Sequence, residues 1–154
     1  MYKSEHDNRQ FKYLTLDNGL RAFLIQDSNC EKSSASITIN SGHFNDDKNC
    51  QGLSHLLEHM LFLGDHDNPT ANHFSSFLES VGGTINAQTG TEFTSYFLDV
   101  PDDYLAKSLK LFSAMLISPI FDEQIIKNEI QVIDAEFQAK IKDELRRLYQ
   151  VHKE

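Results

Sequence analysis

His55, Glu58 and His59 are the residues whose types and spacing best fit a catalytic site in this chain. Residues three and four apart lie on the same face of a helix, so two imidazoles and one carboxylate would project together. The order His-x-x-Glu-His is the inverse of His-Glu-x-x-His, in which the histidines bind zinc and the glutamate acts as a base. The pattern therefore predicts a zinc hydrolase site on one helical turn.

The segment around this pattern is otherwise apolar. From Gly52 to Gly64 a single polar stripe runs along the predicted helix, made of Ser54, His55, Glu58 and His59. A helix that is apolar over most of its circumference is normally buried, and buried ionisable groups need partners. Two other interpretations stay open from these residues alone: core histidines hydrogen-bonded to a glutamate, or a stripe that faces solvent.

A catalytic zinc usually has three protein ligands, so the two histidines need a third donor. Cys30 and Cys50 both precede the motif, and we interpret them as ordinary residues. Glu129 and Glu136 lie two turns apart on the last predicted helix, at the edge of its apolar face. Either glutamate could reach inward, although acidic residues on a long helix usually face solvent.

Composition limits the class of protein. A chain of 154 residues with 40% hydrophobic residues can bury one core, which predicts a single domain or part of one. The formal charge of -9 argues against nucleic-acid binding and suits neutral or basic peptides. The apolar runs are far shorter than the roughly 20 residues that cross a bilayer, and residues 1–7 lack a signal-peptide pattern. We therefore expect no membrane association and a cytoplasmic location, or a periplasmic one if a leader has been removed.

The pattern along the chain predicts strands followed by helices, twice. The Asn18-Gly19 pair favours a tight hairpin turn, Thr70 and Asp122 could cap helices, and Pro101 could open one. The predicted strands are 11–16, 20–25, 34–41, 84–89 and 93–100, and the predicted helices are 52–64, 70–81, 101–118 and 122–148. This order predicts an α+β fold, a two-layer sandwich in which helices cover a mostly antiparallel sheet.

Four segments carry a family resemblance that covers nearly the whole chain: Gly52–Gly64, Gly82–Ala87, Ser118–Asp122 and Asn128–Glu136. They resemble the insulin-degrading enzyme and pitrilysin family of inverted zinc metallopeptidases. The resemblance implies that residues 1–154 form a single catalytic-type domain, the incomplete first domain of a larger multidomain peptidase.

The same resemblance implies a role for each polar residue of the site. His55, His59 and Glu136 would hold Zn²⁺, and Glu58 would act as the general base toward a water activated by the metal. Glu129 would be needed for catalysis as the residue that supports the ligands and the water. The implied activity is that of a zinc metalloendopeptidase.

Asn86 and Ala87 are the implied substrate-binding residues. Their segment resembles the family's edge strand, to which a peptide adds by main-chain hydrogen bonds. The alternative is that Asn86 is an ordinary strand residue near a turn. The implied partners are peptide substrates and the missing carboxyl-terminal domains, without which we expect little peptidase activity.

Two competing interpretations remain. S-ribosylhomocysteine lyase, an enzyme of similar length, also carries an inverted motif. That resemblance includes a cysteine ligand after the motif, and this chain has no cysteine there. An inactive paralogue with a structural or processing role is the other, although such proteins usually lose the zinc or base residues.

Overall fold

The computed structural model describes residues 3–152, and for Gln150 it describes the backbone alone. The predicted hairpin is present at its beginning. Strand β1 (Gln10–Thr15) pairs antiparallel with β2 (Arg21–Gln26). Gly19 lies in the turn with a φ of 85°, a conformation that glycine adopts without steric cost. The two strands form a sheet of their own.

A second sheet has three antiparallel strands in the order β3-β5-β4. They are β3 (Lys32–Ile39), β4 (Thr84–Thr89) and β5 (Thr94–Pro101). Every second side chain of β5 is buried, which is the period expected of a strand covered on one face. The buried face of β5 thus forms the centre of the core.

Three helices supply the other layer of that core: α1 (Leu53–Leu61), α2 (His73–Ser80) and α3 (Leu105–Ile117). Short 3₁₀ turns at His43–Asn45 and Asp102–Tyr104 precede α1 and α3. The buried residues shared by the helices and the sheet are Leu61, Phe74, Leu78, Tyr96, Leu98, Val100, Phe112 and Met115. The predicted α+β class, with helices on an antiparallel sheet, is confirmed.

The prediction of one long final helix was wrong. The structure has α4 (Glu123–Lys140) and α5 (Glu144–His152), separated at residues 141–143. Asp143 accepts a hydrogen bond from the Arg146 amide at 3.1 Å, as a helix cap does, so a new helix begins there. Asp122 caps α4 as predicted, since its carboxylate accepts from the amides of Gln124 and Ile125.

Three local predictions also need correction. The first residue of α2 is His73 and its cap position is Asn72, so Thr70 does not cap it. Pro101 is the last residue of β5 and a 3₁₀ turn follows it, so Pro101 does not open α3, which begins at Leu105. Helix α3 buries Ser108, whose hydroxyl has no hydrogen-bond partner among the described residues. Leu53 and Leu57 are exposed, so α1 is buried on one side only. Among the helices of residues 3–152, none is long and apolar enough to span a membrane.

Candidate metal centre

Asp46 fixes the beginning of the helix that carries the motif. Its carboxylate accepts hydrogen bonds from the Gly52 and Ser54 amides, both at 2.9 Å, and from the Ser54 hydroxyl at 2.6 Å. The side chain is only 1% exposed. Burial raises the pKa of Asp46, but the Ser54 and Gly52 donors outweigh it and hold the pKa below its ordinary value of 3.8. An ionised carboxylate thus anchors the first turn of α1.

Gly42 brings the loop before α1 against the turn between β4 and β5. The His43 amide donates to the Gly90 carbonyl at 3.0 Å, and the Phe44 amide donates to the Thr91 carbonyl at 2.8 Å. A Cβ atom at position 42 would lie 2.5 Å from the Gly90 carbonyl oxygen. Only glycine fits this approach, which fixes α1 relative to β4.

His55, His59 and Glu136 bring three potential ligand atoms together across α1 and α4. The two Nε2 atoms are 3.2 Å apart, and Oε2 of Glu136 lies 3.9 Å from each of them. The side chains are one-quarter to one-third exposed, so the group opens to solvent. Their donor atoms all lie within 4.8 Å of one another, close enough to hold one metal ion.

Glu129 lies on the far side of the His59 ring. Its Oε1 is 2.7 Å from Nδ1 of His59. An ionised carboxylate only accepts, so Nδ1 of His59 is the donor in this contact, and in the neutral ring the lone pair is then on Nε2. Nε2 is the atom that faces His55 and Glu136. This is the carboxylate-histidine arrangement that orients metal-binding imidazoles.

The electrostatic surroundings of His55 favour its neutral form. Burial lowers the pKa of His55 below its ordinary value of 6.5, and the neighbouring His59 lowers it further, while Glu58 opposes the shift. A neutral imidazole is the form that binds a metal. The Nε2 atoms of His55 and His59 and the Glu136 carboxylate face the same small volume.

This donor set fits zinc. Zinc bonds nitrogen and oxygen ligands at about 2.0 to 2.2 Å, so the corners of a tetrahedral site are about 3.3 to 3.5 Å apart. The separations of 3.2 Å and 3.9 Å need only a small movement of the Glu136 carboxylate to reach those values. A set of two imidazoles and one carboxylate leaves one position open, as catalytic zinc sites do.

Glu58 is half-buried beside this group, and the Thr89 hydroxyl donates to its Oε2. Thr89 is the last residue of β4, and its contact orients the carboxylate from the sheet. Glu58 is thus adjacent to His59 in sequence, and its carboxylate is restrained by Thr89.

Asn86 and Ala87 lie in β4, at the edge of the three-stranded sheet. Within residues 3–152, β4 pairs with β5 on one edge and with no named strand on the other. Asn86 is exposed, and its Oδ1 accepts from the Ala87 amide at 2.8 Å. Among residues 3–152, β4 is therefore an edge strand, and the Asn86 side chain occupies the Ala87 amide.

Sequence reasoning missed Asp46, Thr89 and Lys140, all of which contact residues of the centre or of its helix. Lys140 lies four residues after Glu136 and contacts its Oε1. The four-residue spacing is a signal that could have indicated Lys140. The contacts of Asp46 and Thr89 depend on how the loop and the sheet pack against α1, which no local pattern reports.

Comparisons with known proteins show the family of this chain. The sequence profile described as Insulinase (Peptidase family M16) matches residues 21–153. The chain belongs to the M16 peptidase family. Human insulin-degrading enzyme is 38% identical over 151 residues, which are 98% of this chain and 15% of that enzyme. The A-factor-processing enzyme of Saccharomyces cerevisiae is 36% identical with the same coverage.

Solved structures of the M16 type share the fold. The crystal structure of pitrilysin superposes with a TM-score of 0.86 at 31% identity, covering 95% of this chain and 16% of pitrilysin. A protease from Helicobacter pylori gives a TM-score of 0.80 at 27% identity, covering 85% of this chain and 32% of that protein. The chain spans about one-sixth of the length of pitrilysin and of the two enzymes above.

Proposed function

We propose that this M16 chain is the zinc-binding part of a metalloendopeptidase, with His55, His59 and Glu136 as the ligands. The observation that carries the proposal is the convergence of the two Nε2 atoms and the Glu136 carboxylate, with Glu129 on the outer nitrogen of His59. Zinc, when bound, supplies a Lewis acid that polarises a peptide carbonyl and lowers the pKa of water.

Glu58 is the proposed general base. Its carboxylate would take a proton from the attacking water and deliver it to the nitrogen of the leaving amine. The Thr89 hydroxyl holds one carboxylate oxygen, so the side chain loses little conformational freedom when the proton moves. Glu129 contributes by keeping His59 in the tautomer and orientation that a metal requires.

The proposed substrate is a peptide that adds to the free edge of β4 near Asn86 and Ala87. Main-chain hydrogen bonds to a strand edge tolerate many side chains, so they give affinity with little sequence selection. The net charge of -9 favours neutral or basic peptides over acidic ones. Membership in a peptidase family favours this substrate class over that of the lyase considered from the motif.

The chain is proposed to be an incomplete first domain of a multidomain peptidase. The relatives are several times longer, so most of the surface that would enclose a substrate in them lies outside the matched region. We expect the 154 residues alone to bind zinc and to cleave peptides poorly. Robust peptide turnover by these residues alone would contradict this part of the proposal.

Metal content of the purified chain tests the site. We expect about one zinc per chain in the wild type, since three converging ligands are the usual catalytic set. His59→Ala and Glu136→Gln should each lose the metal, while Glu58→Gln should keep it because Glu58 is not a ligand. Folded wild-type protein that binds no zinc would exclude the proposed function.

Peptide cleavage tests the role of the base. The assay uses the chain linked to the domains that its relatives carry. Glu58→Gln should lower kcat by about 100-fold or more while zinc content is unchanged, because a positioned base contributes about 10²- to 10⁴-fold. A zinc-loaded Glu58→Gln variant with wild-type turnover would refute the assignment of the base.

A further inference from the structure

The two carboxylate oxygens of Glu136 face different groups. Oε2 points toward the two Nε2 atoms and lies 3.9 Å from each. Oε1 contacts the ammonium group of Lys140, which is one turn further along α4. The proposed third zinc ligand is therefore already paired with a positive charge from the same helix.

Lys140 is held at the rim of the centre by its position in the fold. It is the last residue of α4, where a cation also interacts favourably with the carbonyl end of the helix. Its side chain is 37% exposed, so solvent screens the charge only in part. The ammonium and an ion held by Glu136 would be separated by the width of one carboxylate.

Two opposite effects on zinc affinity follow from this contact. The favourable effect is that Lys140 restrains the Glu136 carboxylate. This effect is small, because an exposed Glu-Lys pair four residues apart stabilises a helix by only about a factor of two. Lys140 also opposes a nearby dication, and it competes with that dication for the same carboxylate. Like-charge repulsion against a double charge is the larger effect at short range in a partly desolvated site.

We propose that Lys140 sets the zinc affinity of the centre, holding it below the value that the two histidines and Glu136 would give alone. This inference rests on the proposed function, since it assumes that Glu136 is a zinc ligand. Glu129 and Lys140 would act in opposite directions, because an anion behind one ligand strengthens metal binding and a cation behind another weakens it.

The test is the zinc dissociation constant of the chain, measured by competition with a chromophoric chelator. Lys140→Met keeps the length of the side chain and removes its charge. We expect about tenfold tighter binding, the low end of the 10- to 100-fold effects of residues behind metal ligands, because this pair is partly exposed. Lys140→Gln is a second neutral variant in case the methionine variant does not fold.

Lys127 provides a matched control. It pairs with Glu123 at 2.6 Å with the same spacing on the same helix, near the beginning of α4. Lys127→Met should leave the zinc affinity unchanged, and Lys140→Arg, which keeps the charge, should remain within about threefold of the wild type. Raising the salt from about 0.01 to 1 M shortens the Debye length from about 30 to 3 Å and should reduce the difference between Lys140→Met and the wild type.

Each outcome has a defined meaning. Equal or weaker zinc binding by Lys140→Met would overturn the inference and leave the proposed zinc site standing. Lys127→Met or Lys140→Arg binding as tightly as Lys140→Met would also overturn it, since the effect would then not come from the charge at position 140. Absence of zinc from every variant and from the wild type would overturn the proposed function together with this inference.

Discussion

Substitution of Glu129 tests whether orienting the His59 ring contributes to zinc affinity. Glu129 contacts Nδ1 of His59 at 2.7 Å and lies outside the group of three converging ligand atoms. Glu129→Ala should therefore weaken zinc binding by about 10- to 100-fold without abolishing it. Glu129→Gln should lose less, because an amide oxygen still accepts from Nδ1. Chelator competition measures both.

The exposed Glu123 of the same helix is the control, and Glu123→Ala should bind zinc like the wild type. Wild-type affinity in Glu129→Ala would show that the contact does not support the ligand. Complete loss of zinc, comparable to that of His59→Ala, would instead make Glu129 a ligand in its own right.

The sequence predicted the residues of the motif better than the proposed third ligand, for a physical reason. The spacing of His55, Glu58 and His59 is set by one helix, so their shared face follows from the period alone. The choice between Glu129 and Glu136 depends on how α4 crosses α1, a relation between elements distant in sequence. Local spacing left both glutamates open, and the family resemblance assigned Glu136.

Helix α1 should depend on the ionised form of Asp46. The folded-state pKa of Asp46 lies below its ordinary value of 3.8, so its stabilisation is present above that value and is lost as the pH falls below it. Asp46→Ala should lower the free energy of unfolding by about 1 to 2 kcal/mol at pH 7, as removal of a helix cap does. The difference from the wild type should become smaller below pH 3.8.

Urea unfolding at pH 7 and at pH 3 measures this dependence. Asp47→Ala is a suitable control, since the Asp47 carboxylate accepts from the Asn49 amide, at 2.7 Å, in a local turn. A difference between Asp46→Ala and the wild type that stays constant with pH would contradict the assignment of this charge to the beginning of α1.

Elements were predicted best where turn residues mark their ends. The strands on either side of Gly19 lie within one residue of their predicted bounds, and β4 begins at Thr84, directly after Gly82-Gly83, as predicted. The final helix was predicted too long because its apolar period continues from Ile126 to Leu148. Periodicity reports the face of a helix and not its continuity, so the new cap at Asp143 was missed.

The whole molecule buries one side of its sheet and leaves other apolar surfaces in contact with solvent. On α5, Leu145 is 79% exposed, Leu148 is 66% exposed and Val151 is 72% exposed. The hairpin also exposes Phe23, Leu24 and Ile25. Large contiguous apolar surfaces favour association, so a chain with a packed core can still be prone to self-association.

The isolated chain should therefore self-associate as its concentration rises. Substituting both Leu145 and Leu148 with Glu should shift it toward the monomer in sedimentation velocity, because two large exposed apolar side chains are removed. Zinc content should not change, since the centre lies on α1 and α4. Arg146→Glu is the matched control: it changes the net charge by the same two units and keeps both leucines. If it reduced association as strongly as the double substitution, charge repulsion and not apolar contact would govern the self-association.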